Sequence, residues 1–247
     1  LSVVLREVKQ IEDAIAHGER AIAAQPDYPL AHNNLGLALL DAGRFAEGAA
    51  QLEKAVSQRP DDLEIQNNLA VALNACGRSE EAMKYANTVL RERPEWSVGR
   101  RTRGNILRQM NRLEEAVAEF QAGLSGQSPD FELYGNLGLT LLNLGKPNEA
   151  AAVYEKALAL NPDQPEIRTA LGIAQLSVGD FDSGWANYEH RWRCADFAPA
   201  KREFSAPRWE GDSLEGKRIL VFAEQGYGDT LQFCRYLPIV KDYAAHV

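Results

Sequence analysis

A repeat of 34 residues runs through most of this sequence and limits the folds that it can adopt. We call its most regular position the anchor, which holds a small residue in five successive copies: Gly36, Ala70, Gly104, Gly138 and Gly172. A unit this short cannot bury its apolar face alone, so neighbouring copies must stack to complete a core. The period therefore predicts a solenoid of helical hairpins.

A second series with the same step marks a tight turn within each copy. It consists of Gly43, Gly77, Asn111, Gly145 and Gly179. Glycine and asparagine most readily adopt the left-handed backbone conformation with which many helices end. We therefore expect antiparallel helix pairs, with the anchor in the first helix and the turn shortly after it.

The second helix of each copy carries a small slot and, four residues later, a large slot. The small slot holds Gly48, Ala82, Ala116, Ala150 and Gly184. The large slot holds Leu52, Phe120, Tyr154 and Tyr188, with Ala86 as the exception. Small and large residues at helical spacing allow two packed helices to interlock.

This pattern of small and large residues resembles the tetratricopeptide repeat (TPR) family over residues 29 to about 194. The resemblance implies an all-α fold, a right-handed TPR solenoid of antiparallel helix pairs. We accordingly divide the chain into a partial repeat (1–25), five repeats (26–194) and a linker (195–216). In the family, the first helices line a concave side that binds peptides or partner helices.

Three asparagines recur two residues before the anchor, at Asn34, Asn68 and Asn136. Facing one groove, their amides can hydrogen-bond the backbone of a bound peptide. A similar asparagine ladder lines the groove of the O-GlcNAc transferases. The alternative is that each asparagine bonds the backbone of a neighbouring helix, and the sequence leaves both open.

The third repeat is rich in arginine. Its members are Arg100, Arg101, Arg103, Arg108 and Arg112. Arg101, Asn105 and Arg108 have i, i+4 and i+7 spacing and so share one helix face, which the repeat register directs into the groove. One interpretation is a patch that binds an acidic peptide or a carboxylate. The alternative is an arginine row paired with Glu114, Glu115, Glu132 or other neighbours.

Residues 217–247 follow a different pattern. An apolar run at 218–223 predicts a strand, a glycine-rich turn follows, and the next segment predicts a helix. The string from Gly179 onward resembles bacterial TPR proteins with a glycosyltransferase-like domain akin to heptosyltransferases, here only the truncated start of a Rossmann-like lobe. The resemblance assigns Gly226 and Gly228 to an acceptor loop and Asp229 to the catalytic base. Asp229 also fits a plain helix N-cap.

Three functions are compatible with these features: a binding scaffold, the acceptor-selecting half of a glycosyltransferase, or a structural assembly piece. One strand and one helix cannot form a donor site with two lobes, so we expect this polypeptide to bind rather than catalyse. A lone apolar strand at 218–223 invites pairing, so we expect it to pack on the end of the solenoid or to pair with a second copy. The first and last residues suggest that both ends are cut.

Composition excludes several other classes. The formal charge of −8 disfavours nucleic acid as a partner, and no apolar run is long enough to span a membrane. Three cysteines without ligand spacing favour a reducing, cytoplasmic setting. His190 and Cys194 have i, i+4 spacing, but two ligands make no metal site. We expect no cofactor.

Overall fold

The computed structural model describes residues 2–7, 10–125, 131–195, 209, 212–221 and 234–244. Within these ranges the chain forms α-helices joined by short turns, and residues Glu189–Arg193 and Cys234–Tyr236 form short 3-10 helices. The α-helices are α1 (Ser2–Glu7), α2 (Ile11–Ala24), α3 (Pro29–Asp41), α4 (Phe45–Gln58), α5 (Leu63–Ala75), α6 (Ser79–Glu92), α7 (Ser97–Gln109), α8 (Leu113–Leu124), α9 (Phe131–Asn143), α10 (Pro147–Leu160), α11 (Pro165–Ser177), α12 (Phe181–Tyr188) and α13 (Leu237–Tyr243).

The helices from α2 to α12 form a helical solenoid. Each first helix packs against the second helix of its own repeat, and that second helix packs against the first helix of the next repeat. Buried apolar side chains form successive clusters along the stack, from Ala14 on α2 to Ala174 on α11. Each repeat thus completes its core with its neighbours, as the period predicts.

The five intra-repeat turns have the left-handed backbone that their residues predict. The φ angle is +77° at Gly77 and +59° at Asn111, and the other three turn glycines also have positive φ. Asn111 is the only residue other than glycine with positive φ among the residues that the structure describes. The turn therefore keeps one geometry whichever residue occupies it.

The anchor and the large slot interlock. A Cβ added to Gly104 would lie 2.3 Å from Cε1 of Phe120, and one added to Gly138 would lie 2.4 Å from Cε1 of Tyr154. Burial raises the pKa of Tyr154 to about 12. The second repeat has alanine at both places, Ala70 and Ala86, and both are fully buried. The small Ala86 in the large slot is therefore compensated by Ala70, which is larger than the glycine at the other anchors.

A side chain four residues before the anchor ties each of four first helices to the preceding loop. His32 Nε2 donates to the carbonyl oxygen of Pro26 over 2.9 Å, and Arg100 Nε donates to that of Pro94 over 2.9 Å. Gln66 and Arg168 make the equivalent bonds to the carbonyl oxygens of Pro60 and Pro162. The recurring proline thus supplies an acceptor as well as a stop to the helix before it.

The strand predicted over 218–223 is not confirmed. Its described part, residues 218–221, contains a single bridge residue at Arg218 and no strand, and Leu220 and Val221 are exposed. Residues 222–223 lie outside the described residues. Helix α13 falls within the segment predicted to be helical, but without a strand the β-α unit of a Rossmann-like lobe is not established.

Candidate binding groove

The first helices form the inner side of the solenoid. Helices α3, α5, α7, α9 and α11 each contact the next first helix along the stack, whereas contacts of that extent do not join successive second helices within the described ranges. A stack whose first helices lie closer together must curve around them. The candidate site is therefore the concave groove that these five helices line.

An apolar row runs along this groove at the residue directly after the anchor. We define it as Leu37, Val71, Leu139 and Ile173. Val71, Leu139 and Ile173 are 43%, 42% and 44% exposed, and Leu37 is half-buried. Helical residues this apolar and this exposed at the same register are a sign of a binding surface. Sequence reasoning missed the row, although the 34-residue register could have revealed it.

The amides of the first two repeats bond to one another. Asn68 Nδ2 donates to Oδ1 of Asn33 over 2.9 Å, and Asn33 Nδ2 donates to Oδ1 of Asn34 over 3.4 Å. We call Asn34, Asn33 and Asn68 the amide chain. It leaves the amide nitrogen of Asn34 and the carboxamide oxygen of Asn68 without partners within the described residues, and neither atom is buried. The bonds join side chain to side chain, which neither interpretation of the sequence anticipated.

The amide chain does not continue into the third repeat. Asn67 occupies the place of Asn33 and is 3% exposed, yet its Oδ1 has no partner among the described residues. The residue that would donate to it, by analogy with Asn68, is Thr102. In the fourth repeat the position two residues before the anchor again holds an asparagine, Asn136. Its side chain is half-buried and makes no hydrogen bond within the described ranges.

Four of the five arginines of the third repeat are ion-paired. Arg100 and Arg103 share the carboxylate of Glu119 on α8, with Arg100 Nη1 lying 3.1 Å from Glu119 Oε2. Arg101 pairs with Glu132 on α9, and the last pair joins Arg112 to Glu115. The hydrogen bond from Arg112 lowers the pKa of the Glu115 carboxyl. These contacts agree with the alternative interpretation of the sequence, in which acidic neighbours neutralise the row of arginines.

Asn105 and Arg108 have different surroundings. Asn105 is half-buried at the third place of the apolar row, with its Oδ1 buried and unpartnered within the described residues. Arg108 makes no ion pair there, and its Nε is buried without a partner. In register it matches Leu40 and Leu142, which pack beside the core. The structure therefore places Asn105 in the row and Arg108 at the level of the core edge.

Two acidic side chains along the first helices make no ion pair within the described ranges. Glu64 on α5 and Glu166 on α11 share one register position, are exposed, and make no ion pair within the described ranges. Glu132 holds the same position on α9 but engages Arg101. The whole chain carries a formal charge of −8, which favours cationic over anionic partners at long range.

The residues assigned by the glycosyltransferase resemblance, Gly226, Gly228 and Asp229, lie outside the described residues. Within the described ranges, no group of three His, Cys, Asp or Glu side chains could hold a metal ion. The same ranges contain no helix with both the length and the apolar character needed to cross a membrane.

Comparison with known sequences defines the class. Residues 3–50 and 33–95 match the tetratricopeptide repeat family, and residues 138–179 match a second description of the TPR repeat. The repeated helical part of the chain therefore belongs to the tetratricopeptide repeat family.

Individual proteins show the same likeness. Protein FlbA of Caulobacter vibrioides is 29% identical over 173 residues, which cover 55% of this chain and 29% of FlbA. The Hsp70-Hsp90 organizing protein of Triticum aestivum is 30% identical over 115 residues, which cover 43% of this chain and 20% of that protein. The chain thus spans less than a third of the curated relatives that it matches.

A solved structure agrees with the fold. TTC0263, a thermophilic TPR protein of Thermus thermophilus, superposes with a TM-score of 0.61 at 26% identity. The match covers 68% of this chain and 92% of that chain. Almost all of that TPR structure is therefore represented within the solenoid.

Proposed function

We propose that the protein is a TPR scaffold whose concave groove binds a polypeptide segment of a partner protein. The observation that carries the proposal is the apolar row, since three of its four members are more than two-fifths exposed at one register of successive helices. Aliphatic side chains in such a position gain free energy when a partner covers them, about 25 cal/mol for each Å² removed from water. Binding, rather than chemistry, is what such a surface provides.

The relatives support a role in assembling proteins. One of them is named the Hsp70-Hsp90 organizing protein, so that relative organises two other proteins. The amides beside the apolar row add polar groups that can satisfy a bound backbone. Asn34, Asn68, Asn136 and Asn105 are the residues that we assign to this role. Arg101 takes part through its ion pair with Glu132, which lies across α7 and α9.

The charges change the expected partner. The arginines of the third repeat suggested an acidic ligand, but Arg101 is engaged by Glu132. Glu64 and Glu166 make no ion pair within the described ranges, so an acidic segment would have to break the Arg101 pair and approach these two carboxylates. We therefore assign Arg101 a structural contact in the groove wall, and Arg108 stays a predicted groove residue.

Selection from a random peptide display library tests the proposed function with a defined probe. Peptides that bind the full chain are selected and then measured on Val71→Glu with Leu139→Glu. The matched control is Leu160→Glu, at a residue that is 52% exposed at the end of the second helix α10. We expect binding to fall at least tenfold in the groove variant and to persist in the control. Equal binding by both variants would place the site elsewhere.

The glycosyltransferase alternative has no support in the described residues. It rests on the resemblance from Gly179 onward, and Asp229, its assigned base, lies outside the ranges that the structure describes. A bacterial origin and a cytoplasmic location likewise remain proposals, based on that resemblance and on cysteine usage. Hydrolysis of sugar nucleotides by the purified chain, lost in Asp229→Asn, is the result that would revive the alternative.

Self-association through residues 218–221 stays a prediction. Leu220 and Val221 are exposed in an irregular segment, so a second copy can reach them. Sedimentation of the full chain against Leu220→Asp decides the point. A dimer in the unmodified chain that dissociates in the variant supports pairing, whereas two monomers exclude it.

A further inference from the structure

We propose, on the basis of the proposed function, that the groove takes a positively charged segment in the polyproline II conformation with an aliphatic side chain at every third position. The segment would carry a polar residue at its centre, opposite Asn105. This goes beyond binding of a peptide in general, because it specifies the conformation, the spacing and the charge of the partner.

The spacing of the apolar row is the first step. Its members lie one repeat apart on first helices that contact each other in succession. We therefore take the spacing of the row to be that of packed helices, whose axes lie about 8–10 Å apart. A polyproline II segment rises about 3.1 Å per residue with three residues per turn, so every third side chain points the same way at intervals of about 9 Å. In a β-strand, side chains on one face repeat after about 6.6 Å, which does not match the spacing of the apolar row.

The centre of the row is the second step. Asn105 takes the place that an aliphatic residue holds in the two repeats on either side. Its Oδ1 is buried without a partner among the described residues, whereas its amide nitrogen is not among the buried unsatisfied atoms. The amide nitrogen of Asn105 is therefore the end of the carboxamide that faces the groove. A polar residue of the partner fits opposite it better than an aliphatic one.

The free amide groups are the third step. Among the described residues, Asn34 keeps an unused amide nitrogen and Asn68 an unused carboxamide oxygen, and neither atom is buried. A polyproline II backbone makes no internal hydrogen bonds, so its N–H and C=O groups are available to both. A helical partner has satisfied its own backbone and gains nothing from these amides.

Charge complementarity is the fourth step. Glu64 and Glu166 occupy the same edge of the groove, three repeats apart, with no ion pair within the described ranges. Lysine or arginine between the aliphatic positions of the segment would lie along this edge. The interaction is exposed, so salt screens it.

Fluorescence anisotropy with two synthetic peptides and the full chain provides the test. The first peptide has about 13 residues, with leucine at each third position, glutamine at the centre and lysine between them. The second has the same composition with its leucines at alternate positions. We expect the first to bind at least tenfold more tightly, and its binding to weaken as salt is raised.

Two pairs of variants locate the binding of the first peptide. Val71→Ser with Leu139→Ser removes two of the four members of the apolar row, and Leu160→Ser on α10 is its control. Glu64→Gln with Glu166→Gln removes the charge, and Glu155→Gln on α10 is the control for an exposed second-helix carboxylate. We expect each groove pair to weaken binding by about tenfold or more, and each control to leave it unchanged.

The outcomes separate this inference from the proposed function. If both peptides bind equally and the groove variants still weaken them, the groove binds polypeptide but does not select the third-position spacing, and this inference fails. If the Glu64 and Glu166 variant binds as tightly as the unmodified chain, the charge assignment fails. If neither groove pair affects any peptide that the chain binds, the proposed function fails as well.

Discussion

The second and third repeats have the same helix-turn-helix arrangement, but their two helices pack against each other through different side chains. In the second repeat the anchor and the large slot are Ala70 and Ala86, whereas the third repeat pairs Gly104 with Phe120. In the second repeat, the smaller residue in the large slot is compensated by the larger residue at the anchor. The difference shows that the repeat register determines where two helices meet, while the pair of residues is free to vary as long as it fills the space.

Their polar contacts differ in the same way. The first helix of the second repeat contacts the preceding repeat through neutral amides, with Asn68 donating to Asn33. The first helix of the third repeat instead uses charge, with Arg101 paired to Glu132 of the next repeat. Asn67, at the boundary between the two repeats, is left with an unpartnered oxygen among the described residues. The predictions below exchange features of one repeat for those of the other.

The largest effect is expected from Gly104→Ala. The new Cβ would lie 2.3 Å from the ring of Phe120, which is fully buried, so the free energy of unfolding should fall by about 3 kcal/mol. Ala70→Gly in the second repeat should cost only about 1 kcal/mol, through helix propensity. Chemical denaturation of both variants measures the difference.

A double variant supplies the control. In the background Phe120→Ala, the change Gly104→Ala recreates the alanine pair of the second repeat and should cost nothing further. If Gly104→Ala is equally harmful in both backgrounds, the ring of Phe120 is not the reason for the glycine.

Removal of Glu119 is expected to have the next largest effect. Glu119→Ala leaves Arg100 and Arg103 without their shared carboxylate in a partly buried site, which should cost about 1–3 kcal/mol of unfolding free energy. Glu115→Ala on the same helix breaks only the exposed pair with Arg112 and should leave the free energy of unfolding nearly unchanged. Equal losses in thermal denaturation would show that helix propensity, not ion pairing, sets both values.

The amide chain can be broken in one repeat and extended in the other. Asn68→Thr removes the donor to Asn33 and should destabilise the fold by about 1–2 kcal/mol. Thr102→Asn offers Asn67 the donor that it lacks among the described residues and should stabilise the fold by about 1 kcal/mol. Denaturant midpoints of the two variants should therefore move in opposite directions, and a shift in the same direction would contradict the analogy between the two positions.

The smallest effect is expected at the turns. Asn111 has a φ of +59°, and Asn111→Gly should stabilise the third repeat by about 0.5 kcal/mol because glycine has no Cβ to strain. Gly77→Asn should destabilise the second repeat by a similar amount. The pair is compared by thermal denaturation, with Asn111→Ala as the more harmful reference.

Much of the fold could be predicted from the register. The anchor glycines, the turn residues and the large slot all lie where their spacing placed them, because each is constrained within one repeat. The strand at 218–223 was not confirmed in its described part, which contains one bridge residue and no strand, because apolar composition alone does not supply the paired strands that a stable sheet needs.

The candidate site was predictable only in part. The asparagines were singled out by their spacing, and their role in a groove stays a prediction. Their bonds to one another depend on the distance between neighbouring helices. The exposure of Val71, Leu139 and Ile173 was missed because an apolar residue in a helix is usually assigned to the core. The ion pairs of the arginines depend on carboxylates that lie up to 31 residues away in the sequence.

The sequence by itself determined the period, the helix pairs and the positions of close packing, because these depend on local conformation and on side-chain size. The tertiary structure decided which polar side chains satisfy one another and which apolar ones remain uncovered. Both depend on how closely the first helices of successive repeats approach, a distance that no single repeat encodes. The apolar row, and the carboxylates that make no ion pair within the described ranges, are the features that only the tertiary structure revealed.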